Sequence, residues 1–338
     1  MEIRAFITHK KAESFQDCQD RFSINCDTKS IALSDGMSQS IFQKYWAELL
    51  VTTFTSNREW IPNIESVREL STKWKEQAES TIKQLKENKH PSAWRSERSL
   101  KEGKSAGATF LGIRFSGSNW VLDVLGDSCL VVIENHRIKD IYSSQGNSFD
   151  NYPDYFDSNP KNPGKGSLRT EEGELKPNEI LLLVSDPFSD FLNKYRYSEN
   201  ISELINEILA LSSHQDFEKL IEEWRNIGMH NDDSTLIIIT NNQSDNLQEG
   251  YIDNLSSLIN IENEDSTSHT IVNDIPKNAE ISDQQIQEII DGIKRILERF
   301  FCPKIYKNYL TKKKELNSKK LVPEILNEIE EFAKTYIK

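Results

Sequence analysis

The sequence predicts an α+β fold in which antiparallel sheet lies between layers of helix. Three observations lead there. Short apolar runs of β type crowd the start of the chain and its middle; two helical stretches separate those groups; and further helices precede one last strand near residue 240. Strands and helices segregated in this way pack as layers rather than as alternating parallel units.

The elements follow in chain order. "IRAFIT" near residue 5, "RFSI" from Arg21 and "SIALS" from Ser30 are short β-type runs bounded by turn residues. From Ile41 to about Thr53 the pattern turns helical. A second helix starts near Ile64, where Ile64, Val67, Leu70, Trp74, Ala78, Ile82 and Leu85 repeat at three- and four-residue steps as one apolar stripe. Trp46 and Trp74 fall on these stripes and read as core. "ATFLGIRF" from Ala108, "NWVLDVLGDS" from Asn119 and "CLVVIEN" from Cys129 are spaced as an antiparallel meander. "EILLLVSD" from Glu179 and "STLIIIT" from Ser234 are continuous apolar runs, suited to strands covered on both faces. Helices are expected at Ile201–Leu211 and Gln215–Ile227.

Residues 143–176 are rich in Asn, Asp, Pro, Gly and Ser, and a loop of that length within a domain reads as a functional flap. Its Tyr152, Tyr155 and Phe156 either meet a peptide or pack the flap on its own body. Residues 241–280 turn polar and acidic and read as a linker. Beyond it, helices at Ile281–Phe301 and Leu321–Ile337 form a C-terminal helical region over 281–338, able to dock a protein partner. The basic run Lys312–Lys314 there reads as a solvated helix face.

Composition narrows the function. Over 338 residues, 36% hydrophobic and 28% charged, a sizeable core is within reach. A net charge of −13 argues against a general nucleic-acid or anionic-membrane binder, because phosphate-rich partners need clustered Lys and Arg. Cys18, Cys26, Cys129 and Cys302 are scattered without a CxxC pair, which fits reduced thiols better than a disulfide framework or zinc site. The opening "MEIRAFITHKKAESF" has no long apolar stretch of the signal-peptide kind, and no run approaches a membrane span. The expected location is cytoplasmic.

Aspartates punctuate the strands. Asp35 closes "SIALS", Asp127 follows "VLG" and Asp186 closes "LLLVS", with Asp190 one helical turn later. Asp20 precedes "RFSI", and Asp232 opens the last strand. One such residue is ordinary turn chemistry. Several strand ends delivering carboxylates to one place is different, because two carboxylates about 5 Å apart repel by roughly 3 kcal/mol at an effective dielectric near 20. A converging cluster needs cations, and oxygen-only ligands favour Mg²⁺ or Mn²⁺. Two such ions make a site suited to phosphoester hydrolysis.

These residues carry a resemblance. "THKKAESFQDCQDRFSI", "IALSDGMSQS", "GATFLGI" with "VLGDS", "LLLVSDPFSDFL" and "NDDSTLIII" resemble, in order, the motifs of the bacterial branch of the protein phosphatase 2C-like, metal-dependent serine/threonine phosphatases. The resemblance covers residues 1–240. It implies a four-layer α-β-β-α sandwich of two antiparallel sheets, with the C-terminal helices as an appendage. It also implies hydrolysis of phosphoserine or phosphothreonine in a protein, a Ser/Thr kinase or its target, by a water bridging two Mg²⁺ or Mn²⁺ ions, with a third ion as a further option.

Roles follow position by position. Asp35 bridges both ions, with the Gly36 carbonyl on the second; Asp186 and Asp232 complete the first; Asp20 holds metal-bound water. Asp127 and Asp190 match a weaker third site, and Asp190 equally suits a helix cap. Asp233 reads as the turn partner of Asp232, and His9 either sits near the phosphate or, the simpler reading, is a hydrogen-bonded structural histidine.

The chain also departs from the family pattern. Gln19 stands where many relatives have a second-metal acid. The phosphate-binding Arg falls on Phe15, leaving Lys10, Lys11 or Arg21 to replace it. Ser38 and Pro187 replace glycines, and the histidine of some relatives falls on Met37. These departures motivate a competing reading, a weak or inactive relative that binds phosphoproteins or a partner as a regulatory module.

Overall fold

The strand "STLIIIT" shows how the layers arise. Side chains alternate across a strand. Ile237 and Ile239 accordingly enter one apolar core, while Leu236 and Ile238 enter another on the opposite face. "EILLLV" divides in the same way, Leu181 and Leu183 to the first core and Leu182 and Val184 to the second. Runs that are apolar on both faces belong to strands covered on both faces.

The computed structural model describes residues 1–38, 40–144, 153–242, 244 and 246–268, with the side chains of 263–268 excepted. In chain order the elements begin with β1 (Glu2–Thr8), β2 (Arg21–Asn25), β3 (Ser30–Ser34), α1 (Gln43–Ser56), α2 (Ile64–Glu87) and α3 (Ala93–Lys101). Strands β4 (Gly107–Ala108), β5 (Phe110–Ser116), β6 (Asn119–Leu125), β7 (Cys129–Glu134), β8 (Arg137–Tyr142), β9 (Tyr155–Asp157), β10 (Gly164–Lys165), β11 (Arg169–Glu174) and β12 (Glu179–Val184) follow. Then come α4 (Asp186–Tyr195), α5 (Ile201–Ala210), α6 (His214–Asn226), β13 (Ser234–Thr240), β14 (Gln248–Ile252) and α7 (Leu255–Ser268).

One sheet has the order β14-β1-β13-β12-β7-β8 and the other β11-β6-β5-β3-β2; β10-β9-β4 form a small third sheet. Pairing within the two large sheets is antiparallel except at one edge, where β14 runs parallel to β1. The large sheets face each other across a core of Ile3, Ile31, Leu111, Ile113, Leu183 and Ile237. Helices α4, α5 and α6 cover the six-stranded sheet through Phe188, Phe191, Phe217 and Trp224, and α1 and α2 cover the other through Trp46, Phe54, Leu70 and Trp74. The four-layer α-β-β-α arrangement is therefore present, and Trp46 and Trp74 are core as expected.

Helix α2 has a capping box, Asn63 accepting from Glu65 and Ser66 while the Ser66 side chain accepts from the Asn63 N–H. Its stripe is buried from Val67 to Ile82, but Ile64 at its start is half exposed.

Three expectations are corrected. The strands near 108, 120 and 130 are not one meander: β5 pairs with β6, but β7 pairs with β12 and β8 in the other sheet. Gly126 makes the crossing at φ +113, where an added Cβ would meet Thr109 at 2.7 Å. The flap contributes the edge strand β11, whose sequence "RTEEGE" hides it because an edge strand faces solvent. The stretch read as a linker contains β14 and α7 as far as Ser268. Leu247 is buried between the sheets, and Tyr251 stacks on Phe6 with ring centroids 5.2 Å apart. The C-terminal helices expected at 281–301 and 321–337, Lys312–Lys314, Cys302 and Tyr152 lie outside the described residues.

Candidate active site

The ends of β3, β6 and β12, the entry to β13 and the loop before β2 deliver aspartates to one end of the sandwich. Asp35 follows β3, and its backbone is fixed from both sides: its N–H donates to Thr109 Oγ1 at 3.1 Å, and its carbonyl accepts from Thr109 N at 2.9 Å. Thr109 is the residue between β4 and β5, so the break in that strand registers Asp35. Gly36 bridges to Ala108; a Cβ there would meet Gln43 Cγ at 3.0 Å and the Gln19 carbonyl at 3.2 Å.

Asp186 opens α4, where a helix's unpaired N–H groups favour negative charge. Pro187 sits in the first turn of that helix, where the missing N–H would have had no helical partner. This departure therefore has no local cost.

Asp20 is fully buried. Its Oδ2 accepts from Thr235 Oγ1 at 2.7 Å, and its Oδ1 has no hydrogen-bond partner among the described residues. Asp127 is buried at the crossing between sheets, and its carbonyl accepts from Ser189 Oγ at 2.9 Å. Asp232 is about half exposed, its Oδ1 accepting from Asp233 N. Asp190 lies inside α4 rather than capping a helix, and its Oδ2 is 3.0 Å from Nε2 of the exposed His230.

Electrostatics links these groups. Burial, then the charges of Asp20, Asp186, Asp127 and Asp232, push the Asp35 carboxyl well above the usual carboxylate range. Burial, then Asp127, Asp20 and Asp232, do the same to Asp186. Asp20 is pushed up to about 7, by burial first and then Asp233, against the hydrogen bonds of Thr235 and Ser185. Each carboxylate is thus costly in the presence of the others.

The donor set is all oxygen, and one buried oxygen of Asp20 is unpartnered, which fits hard divalent cations such as Mg²⁺ or Mn²⁺. Among the described residues no three His, Cys, Asp or Glu side chains stand together as a finished ligand set for one ion.

Residues 9–19, which fall within the first of the sequence motifs, form a loop leading into Asp20. Asp233 holds both its ends: Oδ1 accepts from Lys10 N at 2.9 Å and Oδ2 from Gln19 N at 2.7 Å. This buried aspartate is spent on backbone groups, as expected for a turn partner. Arg225 ties the loop to the last turn, donating to the carbonyls of His9 and Asp232.

Among the three basic residues weighed for the missing phosphate-binding Arg, Arg21 donates to the carbonyls of Cys18 and Asp20 and pairs with Glu48. Lys11 is exposed, while Lys10 Nζ lies 3.5 Å from Asp232 Oδ1 and from Glu13 Oε1. Phe15, at the position of the Arg, is buried edge-on against His9 with ring centroids 4.6 Å apart. The Gln19 side chain accepts from Ser38 Oγ at 3.2 Å. Phe156 of the flap is buried under Trp46, whose Nε1 donates to its carbonyl, so it packs the flap on its own body.

Sequence reasoning missed the supporting hydroxyls. Thr109, Ser185, Ser189 and Thr235 are buried and bonded to the strand ends that bear the acids. A local signal was present for one of them: Ser185 directly precedes Asp186 in the sequence, whereas Thr109, Ser189 and Thr235 adjoin none of the acids they support.

No helix among the described residues is long and apolar enough to cross a membrane. No curated protein sequence matches the chain. Solved structures similar to it include PppA, a key regulatory component of T6SS in Pseudomonas aeruginosa (14% identity, 70% of this chain and 96% of that chain, TM-score 0.45). The S. agalactiae serine/threonine phosphatase is similar at 14% identity, 70% and 98% coverage and TM-score 0.44. The catalytic domain of the serine/threonine protein phosphatase PstP, in complex with two manganese ions, is similar at 14% identity, 70% and 96% coverage and TM-score 0.42. The sequence profile described as Protein phosphatase 2C matches residues 9–224, more than half of the 338, and takes in Asp20, Asp35, Asp127, Asp186 and Asp190. The chain belongs to the protein phosphatase 2C family.

Proposed function

We propose that this chain hydrolyses phosphoserine and phosphothreonine in proteins with Mg²⁺ or Mn²⁺, opposing a Ser/Thr kinase in the cytoplasm. One observation carries the reading: carboxylates from separate strand ends, Asp20, Asp127, Asp186 and Asp232, all bear electrostatically on Asp35. Such a concentration of buried and partly buried negative charge is unstable by itself and is offset by divalent cations.

Asp35, Asp186 and Asp232 would hold the first ion. Asp35 and the Gly36 carbonyl would hold the second, and Asp127 with Asp190 a weaker third. Asp20 would orient water from behind. When bound, the ions supply Lewis acidity and neutralise the phosphate. Lys10, whose ammonium leans over Asp232, is the residue we assign to the phosphate oxygens in place of the missing Arg. A phosphorylated side chain would enter past the half-exposed Asp232, beside the mostly buried Lys10.

Manganese-dependent hydrolysis of p-nitrophenyl phosphate and of a phosphothreonine peptide tests the reading. Asp35→Asn and Asp186→Asn are each expected to lower kcat/KM by about 10²-fold or more. Equal rates in wild type and both variants would end it. A second reading, a phosphoprotein-binding regulatory module, is favoured by Phe15, which puts an apolar ring where the family carries a guanidinium. Wild type that binds phosphopeptide without turning it over would select that alternative.

A further inference from the structure

Residues 248–262 lie beyond the family match, which ends at residue 224, yet they bind β1 and the start of α6 and, through Glu262, the loop next to the acids. Strand β14 extends the six-stranded sheet beside β1. Immediately after it, Asp253 N donates to the Ala5 carbonyl at 2.9 Å, and Asp253 Oδ2 accepts from Ile7 N at 2.9 Å and lies 2.9 Å from His214 Nδ1. Tyr251 OH donates to Asp253 Oδ1 and accepts from His214 N. Two turns into α7, Glu262 Oε2 accepts from Phe15 N at 2.8 Å, and its Oε1 is 3.8 Å from His9 Nε2. The Phe15 ring then packs between His9 and His214, with centroids 4.6 and 5.5 Å away.

We infer that Glu262 is a positioning residue for substrate phosphate, acting through the 9–19 loop. Asp233 pins the two ends of that loop and Asn231 accepts from Lys11 N, so both of those anchors belong to the turn that carries Asp232. The middle of the loop, at Phe15, is tied from outside by α7. A partly buried backbone N–H left without its partner is costly, which favours a shift of the loop when the carboxylate is removed. The Lys10 backbone stays on Asp233, but its side chain follows the loop's course: Lys10 Nζ lies 3.5 Å from Glu13 Oε1, Glu13 N donates to Lys10 O, and Lys10 O lies 2.9 Å from His9 Nδ1. Asp35, just after β3, is held through its backbone by Thr109, and Asp186 by the first turn of α4, rather than by the loop. The consequence is a divided effect: phosphate affinity depends on Glu262, and the chemical step does not. The assignment rests on the phosphatase reading and on Lys10 as the phosphate contact.

The experiment compares full-length wild type, Glu262→Ala and Glu262→Gln. Gln keeps an oxygen for the Phe15 N–H and loses the charge beside His9. With p-nitrophenyl phosphate and Mn²⁺, Glu262→Ala is expected to raise KM about tenfold with kcat within twofold, while Glu262→Gln keeps the wild-type KM. Hydrogen exchange of peptides covering residues 9–19 gives a readout independent of turnover. Exchange is expected to speed at least tenfold in Glu262→Ala and to stay slow in Glu262→Gln. Unchanged exchange in Glu262→Ala, or a fall in kcat with KM unchanged, overturns the inference. Inactive wild type with the exchange pattern as expected would refute the phosphatase reading while leaving the loop clamp standing.

Discussion

Asp20 shows what an acid cluster costs a single residue. Its carboxyl titrates at about 7 in the fold against 3.8 for the free side chain, so between those values the folded chain holds more protons than the unfolded one. Stability of the metal-free protein therefore falls as pH rises from about 4 to 7. Asp35 is pushed in the same direction by burial and by its acidic neighbours. Replacing the crowded carboxyl by a neutral amide relieves that strain, so Asp35→Asn should raise the Tm of the metal-free protein. The same change should shrink the rise in Tm that saturating Mn²⁺ produces in wild type. Scanning calorimetry with and without the ion checks both signs, and a lower metal-free Tm in the variant would contradict the account. These residues were legible before any fold was known, since aspartates at the ends of apolar runs stand out in one dimension. Thr235, which donates to Asp20 across 215 positions of sequence, was not, because nothing local marks which hydroxyl meets which acid.

At the scale of elements, legibility follows exposure. Central strands β12 and β13 are covered on both faces and read as unbroken apolar runs. The edge strands β11 and β14 face solvent and carry polar sequences, so their pattern matches that of a loop. Strand β14 is held by partners rather than by propensity. His214 at the start of α6 contacts Asp253, and its Nε2 lies 3.3 Å from Glu218. Burial acts to lower the imidazole's pKa, but the hydrogen bonds to Asp253 and Glu218 outweigh it and raise the pKa from 6.5 to about 9. A raised histidine contributes stability that is complete below pH 6.5 and is lost as pH climbs through 9. The contribution is about 2 kcal/mol after allowance for solvent screening. Thermal melts from pH 6.5 to 9.5 should show Tm falling in wild type and a flatter profile in His214→Gln; parallel profiles would remove this link between α6 and β14.

Across the whole molecule, the two large sheets and their helices share three apolar cores, and the acids sit at one end of the sandwich they form. Ile237 lies between the sheets with no exposed surface, whereas Tyr197 is 90% exposed after α4. Ile237→Ala should cost about 2–5 kcal/mol in denaturant unfolding, and Tyr197→Ala less than about 0.5 kcal/mol. Comparable losses at both positions would mean that the inter-sheet core is not what holds the strand ends in place. Sequence alone determined the layered α+β class, the buried strands and the acidic residues, because periodicity and turn chemistry act over a few neighbouring positions. Tertiary structure alone decided that β6 and β7 part company at Gly126, that β14 joins β1 while α7 returns to the loop over residues 9–19, and that a buried threonine faces Asp20. Those contacts join segments up to 247 residues apart, and local chain preferences carry no information about which distant segments will meet.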